Sequence, residues 1–469
     1  MKKNGKKYRK LQKKREQKQQ DIFTNDVDRE VDGIKIENLS TAHIVIENPI
    51  VFDAKDTKRE YLKRLKNYVK LGGWNKRKYE ISEMAAYEKI ILGSDPVEKR
   101  NDIGFYKYFI LFDLIHVLGY ELTKISESKM SKLKKQYLAD FCDADPQIFK
   151  RIMSPVQRED RKLARLQKID ELRMETHYIE LVRKNIAFKK QKPFAVMVTA
   201  TMSAGKSTFI NSLIGKYVCL SQNMACTNKI HSVINKAFED GYCSEYDHDL
   251  VMTAGKEELL NDNEENQSNM IYVAANYYGG LSDARIIVND SPGVNFSGDK
   301  EHQKIAEQLI KSRKYNMLIY VMNATQLGTN DEDEHLDFIK NAIGRTPIIF
   351  VMNKVDAFNP EEENVEAIIN RQTEYLKRKG FKAPVVCPVS ARAGYLAKQF
   401  EQVELSRSEE RELYNYVDKF DQMNLSGYYS KTFPQIKIEN HPREEVQLLK
   451  TCGMGYVEKL IKGYTKGGK

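Results

Sequence analysis

Between an apolar run, Phe194 to Val198, and a helix-patterned run, Thr208 to Ile214, the chain reads Ala200-Thr201-Met202-Ser203-Ala204-Gly205-Lys206-Ser207. No other stretch restricts the fold as much. A strand that turns directly into a helix aims successive backbone N–H groups at one point, and the helix N-terminus adds positive potential there, so the turn suits a phosphate. Lys206 can then reach the outer phosphates of a nucleotide, and the Ser207 hydroxyl can ligate Mg2+. The first glycine of the usual G-x-x-x-x-G-K-S spacing is Ala200 here, so the backbone at that point must tolerate a Cβ.

From Phe194 onward, short apolar runs at 194–198, 285–288, 316–322, 347–352 and 384–388 alternate with helical spacing near 206–215, 301–313, 332–343, 361–379 and 393–401. This predicts an α/β domain with a mostly parallel sheet and flanking helices. His231 to Phe238 is a candidate further strand, and the polar stretch Asn261 to Asn269 a loop insertion. Upstream, the spacing predicts helices at 57–70, 77–92, 105–119, 130–141 and 145–153, and β-branched alternation broken by Asn48-Pro49 suggests a short hairpin over His43 to Phe52. Leu163, Leu166, Ile169, Leu172, Ile179, Val182 and Ile186 form the stripe of one long helix between Pro155 and Lys190. The expected domains are a basic tail at 1–39, a mainly helical region at 40–154, a helical connector at 155–192 and the α/β domain at 193–469.

Residues 1–20 hold eight Lys and two Arg against Glu16, a net +9 of the chain's +10. With almost nothing apolar to bury, this arm reads as disordered, and its charge alone suits contact with anionic membrane or nucleic acid as much as plain solvation. No apolar stretch follows it, so a secretory signal is not expected. The longest apolar-rich segment, Phe105 to Tyr120, is broken by Lys107, Asp113 and His116 and falls short of the roughly 20 residues a spanning helix needs. Six scattered cysteines without a C-x-x-C pair fit reduced thiols, and the gaps among Cys219, Cys226, His231 and Cys243 match no standard zinc spacing. A cytoplasmic protein, peripheral to a membrane if it meets one, is expected.

Three further motifs follow strand runs in order. Asp290-Ser291-Pro292-Gly293 places a carboxylate at the carboxyl end of a strand, where it can hold Mg2+ through water, and Gly293 lets an N–H approach a terminal phosphate. Asn353-Lys354-Val355-Asp356 supplies a fixed carboxylate, Asp356, able to accept the guanine N1–H and 2-amino protons, whereas adenine offers neither donor. Ser390-Ala391-Arg392 adds a turn whose Ala391 N–H can meet guanine O6.

Together these motifs resemble those of the P-loop GTPase superclass, and more closely the dynamin-like family in its bacterial form. Met202 to Thr208 followed by Asn211-Ser212-Leu213-Ile214-Gly215 is similar to that family's S-x-G-K-S/T and N-x-L-x-G. Cys226-Thr227 sits where its first switch presents a Thr, and Tyr320 to Asn330 looks like a further family segment. The resemblance spans roughly 155–465, with Gly453 to Ile461 resembling the domain's end. It implies an α/β P-loop GTPase domain preceded by a mainly helical region, with GTP as substrate and Mg2+ as cofactor. It also implies that Thr227 binds Mg2+ and the terminal phosphate, that Ser203 assists hydrolysis in place of an arginine finger, and that turnover rises on GTP-dependent dimerisation. Two departures stand out: Met202 replaces a water-positioning Gln, and the helical trunk that normally follows the domain is not expected after Lys469.

Lys206, Ser203 and Thr227 are therefore the candidate catalytic residues. Met202, Ser203, Ala204, Gly205, Lys206, Ser207, Thr208, Asp290, Gly293, Asn353, Lys354, Asp356, Ser390 and Ala391 are candidates for holding nucleotide, and Ser207, Thr227 and Asp290 for Mg2+. A GTP-binding scaffold with little turnover, whose helical region binds a partner, remains open as the alternative. A general ATPase or kinase would have to discard Asn353 to Asp356.

Overall fold

The computed structural model describes residues 30–31, 34–73, 78–97, 100–118, 125–154, 160–219, 230–246, 250–251, 254–255, 270–291, 300–359, 361 and 364–467. Two compact units emerge: one holds 26–192 together with 236–242, and the other holds 193–235 and 243–469.

The first unit is helical. Its main elements are α1 (Lys55–Gly72), α2 (Lys78–Gly93), α3 (Phe109–Val117), α4 (Glu127–Asp140), α5 (Pro146–Ile152), α6 (Asp160–Leu166) and α7 (Thr176–Lys189). Asp113 on α3 is fully buried and accepts from Asn48 Nδ2 at 2.8 Å and from the hydroxyls of Tyr61 and Tyr178. Burial pushes its carboxyl up from the ordinary range.

Two sequence expectations change here. His43 to Phe52 forms no hairpin: Ala42–Glu47 and Pro49–Phe52 are successive 3₁₀ turns. Asn48 accepts the Ile50 N–H at 3.0 Å, Pro49 opens the second turn, and Ala42 to Ile46 are buried in succession, without the alternate exposure of a strand. The long connector helix is two helices, α6 and α7, separated by Ile169 in extended conformation and a 3₁₀ turn at Asp170–Leu172. Its apolar stripe is nevertheless buried, with Leu163, Leu166, Leu172, Ile179 and Val182 at most 3% exposed.

The second unit is an α/β sandwich. Its elements are β1 (Phe194–Ala200), α8 (Lys206–Ile214), β2 (Ile230–Asn235), β3 (Ser244–Tyr246), β4 (Leu250–Val251), β5 (Met270–Ala275), β6 (Ile286–Asp290), α9 (Lys300–Ser312), β7 (Met317–Asn323), α10 (Asn330–Ala342), β8 (Ile348–Asn353), α11 (Val365–Arg378), β9 (Val385–Pro388), α12 (Ala391–Phe400), α13 (Arg407–Gln422), α14 (Ser426–Thr432), α15 (Glu444–Thr451) and α16 (Met454–Thr465). Among the described residues the sheet runs β9-β8-β7-β1-β6-β2-β5-β3-β4. β9 through β6 are parallel neighbours, whereas β2 lies antiparallel to β6 with His231 opposite Asp290. The central strands are mainly apolar runs with polar residues towards their carboxyl ends, and β7 is buried from end to end, as in a sheet covered on both faces. Helices begin where side chains satisfy their first N–H groups: Thr329 for α10, Asn364 for α11, and a capping box of Ser406 and Glu409 for α13. The expected strand at His231 to Phe238 is present as β2. β5, with no residue exposed, was hidden by its small alanines.

Candidate nucleotide-binding site

The site gathers at the carboxyl ends of β1, β6, β8 and β9. Ala200 is still in strand register opposite Val321, so its Cβ meets no conformational barrier. Left-handed backbone falls instead on Ser203 (φ 60°) and Gly205 (φ 82°). Gly205 is required to be glycine: a Cβ there would lie 2.5 Å from Asn353 Nδ2. The Lys354 stem reaches 3.6 Å from the same point, so it lies across the loop. Met202 and Ser203 face outward, while Ala204 is buried and Ser207 and Thr208 are half-buried in the first turn of α8.

The Lys206 ammonium, on a side chain only 9% exposed, donates to Asp290 Oδ1. Asp290 Oδ2 and the Ser291 hydroxyl are buried without a hydrogen-bond partner. An orphaned carboxylate oxygen beside the phosphate cradle is an acceptor that water on a hydrated Mg2+ would satisfy, so the residues present fit the ion. Burial first, and then the Asp290 charge, push the Cys219 thiol well up, which keeps it protonated. Asn211 fastens the chain leaving α8 by accepting from the N–H groups of Val218 (3.0 Å) and Cys219 (2.8 Å).

On the base side, Asn353 joins two motifs. Its Nδ2 donates to Ala204 O at 3.0 Å and its Oδ1 accepts the Ala391 N–H at 3.0 Å. The expected contact of Ala391 with guanine O6 therefore requires that N–H to be shared, because the nearer acceptor lies within the protein. Ser390 acts as a cap, its hydroxyl accepting from Ala393 N–H and its own N–H donating to Cys452 O. Asp356, on the 3₁₀ turn Val355–Ala357, is half-exposed and accepts no hydrogen bond from a described residue. Thr227, its neighbour Cys226, and Gly293 lie outside the described residues.

Sequence reasoning missed the scaffold behind these groups. α12 starts at the base turn and ends at the foot of α8, where Gln399 and Gln402 both donate to Gly215 O, at 2.7 and 2.9 Å. Lys398 donates to Leu213 O and pairs at 2.5 Å with Glu458 of α16, whose other oxygen accepts Gly280 N–H. A lysine and a glutamate 60 residues apart carry no pairing signal in one sequence. Glu332, opening α10, was also missed; it accepts the Gly328 N–H at 2.7 Å in the loop after β7.

Burial raises the Glu332 carboxyl from 4.5 to about 7, and its other oxygen is unpartnered. A folded pKa above the unfolded one stabilises the fold below the unfolded value, and that contribution is lost as pH rises through about 7, an effect of about 3 kcal/mol. Glu332→Gln should therefore raise the melting temperature at pH 8 and leave it nearly unchanged at pH 5. Equal shifts at both pH values would contradict the assignment.

Residues 196–355, which hold the P-loop, Asp290 and Asn353, match the family model described as Dynamin family. That stretch of the chain is thus similar to the Dynamin family's domain. The probable transmembrane GTPase FZO-like, chloroplastic, of Arabidopsis thaliana is 24% identical over 207 residues, which is 44% of this chain and 20% of that relative; the chain thus spans about a fifth of its length. Solved structures similar to this chain include an oligomerised bacterial dynamin pair, at 15% identity over 95% of this chain and 64% of the other, with a TM-score of 0.36. Aquifex aeolicus Era bound to GDP and aluminium fluoride matches at 19% identity over 43% of this chain and 52% of its own, with a TM-score of 0.26. Among the described residues, no helix is long and apolar enough to cross a membrane.

Proposed function

We propose that the chain binds GTP with Mg2+ and hydrolyses it to GDP and phosphate. Asn353 carries this conclusion: one side chain ties the phosphate loop to the base turn, so a single nucleotide is held at both ends by one rigid piece. Asp356, with its carboxylate uncommitted, accepts the guanine N1–H and 2-amino protons. Lys206 transfers from Asp290 to the outer phosphates, and Ser207, Thr227 and, through water, Asp290 hold Mg2+, which neutralises phosphate charge. Gly293 N–H approaches the terminal phosphate. Ser203, Lys206 and Thr227 act on the rate by positioning and by stabilising charge. Met202 supplies no water-orienting amide, so turnover is slow until two domains associate across the nucleotide. Similarity to the Dynamin family's domain favours this reading over the non-hydrolysing scaffold. The 193–469 domain performs the chemistry, while 40–154, reached through the 155–192 connector, is left for partners. The basic tail serves anionic surfaces at a cytoplasmic, membrane-peripheral location.

Phosphate release from GTP and from ATP, followed over a range of protein concentrations, tests the proposal. GTP alone should be turned over, with a specific rate that rises with concentration. Asp356→Asn should weaken GTP by roughly 100-fold or more and admit xanthosine triphosphate, whose extra carbonyl pairs with the new amide. Tight GTP binding with flat, near-zero turnover would overturn hydrolysis, and equal use of ATP would overturn the base assignment.

A further inference from the structure

Directly after the base turn, Arg392 leaves the first turn of α12 and meets α13. Its Nε and Nη2 donate to the two carboxylate oxygens of Glu412, at 3.0 and 2.6 Å. This is the two-point contact in which a planar guanidinium loses both translational and rotational freedom. The Tyr416 hydroxyl, one helical turn further along α13, donates to Glu412 Oε1 at 3.2 Å. Burial, followed by the nearby charges of Asp356 and Glu412, pushes that hydroxyl's pKa well up, which keeps it a donor and places it within electrostatic reach of the base-reading carboxylate. The Arg392 guanidinium also lies 5.8 Å from the Tyr395 ring centre. α13 is anchored beneath this cluster by Leu413 and Phe420, both fully buried.

The four sequence motifs do not include α13, yet it grips the residue next to Ala391, and the Asp356 charge acts on its Tyr416. We propose that Glu412, clamped to Arg392 and backed by Tyr416, is a positioning residue for guanine discrimination. By fixing the Ser390–Arg392 turn against α13, it sets the distance between the Ala391 and Asp356 ends of the base site. The proposal rests on the GTP reading above. It predicts a larger change in base selectivity than in phosphate binding, because Lys206 pairs with Asp290 and the Ala204 carbonyl of the P-loop is held by Asn353 Nδ2, contacts that Glu412 does not touch.

The test is competition of GTP, ITP and ATP against a fluorescent guanine nucleotide with Mg2+ present, using the full chain and three variants. Glu412→Gln keeps the shape and removes the charge, Arg392→Lys keeps the charge and removes the two-point contact, and Tyr416→Phe removes one donor. Glu412→Gln and Arg392→Lys should each weaken GTP by about 10-fold and ATP by less than about twofold, so that selectivity falls, while Tyr416→Phe should show a smaller loss of the same kind. A variant that folds and weakens GTP and ATP alike, or changes neither, overturns the positioning role. A parent chain that does not prefer GTP would overturn the underlying reading instead, so the two failures are told apart by the unmutated protein.

Discussion

Lys206→Met should cut GTP turnover by roughly three orders of magnitude and also destabilise the protein before any nucleotide is added. The first effect follows from removing the cation that α8 presents to the phosphate cradle. The second follows from the ion pair with Asp290, whose side chain is about 2% exposed. Deleting one partner strands a buried carboxylate, a loss of about 3 to 5 kcal/mol. Thermal unfolding of the nucleotide-free chain separates the two effects. Adding Asp290→Asn to Lys206→Met should restore much of the stability and none of the turnover. An unchanged melting temperature in the single variant would show that the pair contributes nothing to the resting protein.

Glu458→Ala is the second large effect, expected far from any nucleotide. Glu458 neutralises Lys398, which is fully buried, and accepts the Gly280 N–H. Its removal leaves a buried ammonium and an unpaired amide, again on the order of 3 to 5 kcal/mol. Urea unfolding should register that loss. The compensating pair Lys398→Met with Glu458→Leu should recover most of it, since two apolar groups of similar volume replace two charges. If the double variant is as unstable as the single one, the loss comes from packing and not from the stranded charge.

The site residues were more legible than the scaffold that holds them. The P-loop, Asp290 and Asn353 to Asp356 announce themselves through local spacing behind apolar runs, and the structure sets the described members of these motifs at the carboxyl ends of β1 and β6, which are neighbours, and of β8, one strand away from β1. Periodicity located most helices within a few residues, yet it joined α6 to α7 because the apolar spacing continues through Ile169 while the backbone does not. The 43–52 turns were misread because β-branched residues buried on every side look like a strand when only composition is seen. Asn353 was read as a ligand residue, and its bridging role needed coordinates, since hydrogen bonds across 149 and 38 residues of chain leave no local trace. Glu332, Glu412 and Glu458 resemble ordinary helix-surface glutamates until tertiary packing decides what each faces.

α12 runs alongside α8, tied at one end to the base turn and at the other to Gly215, at the far end of the helix that the P-loop opens. That makes it a strut. With the phosphate loop and the base turn braced against each other, loss of a phosphate has no room to act as a widening of the cleft. On the opposite flank β2 runs antiparallel along β6 and ends at Asn235, whose side chain grips the Leu281, Ser282 and Ala284 carbonyls, so that edge is tied as well.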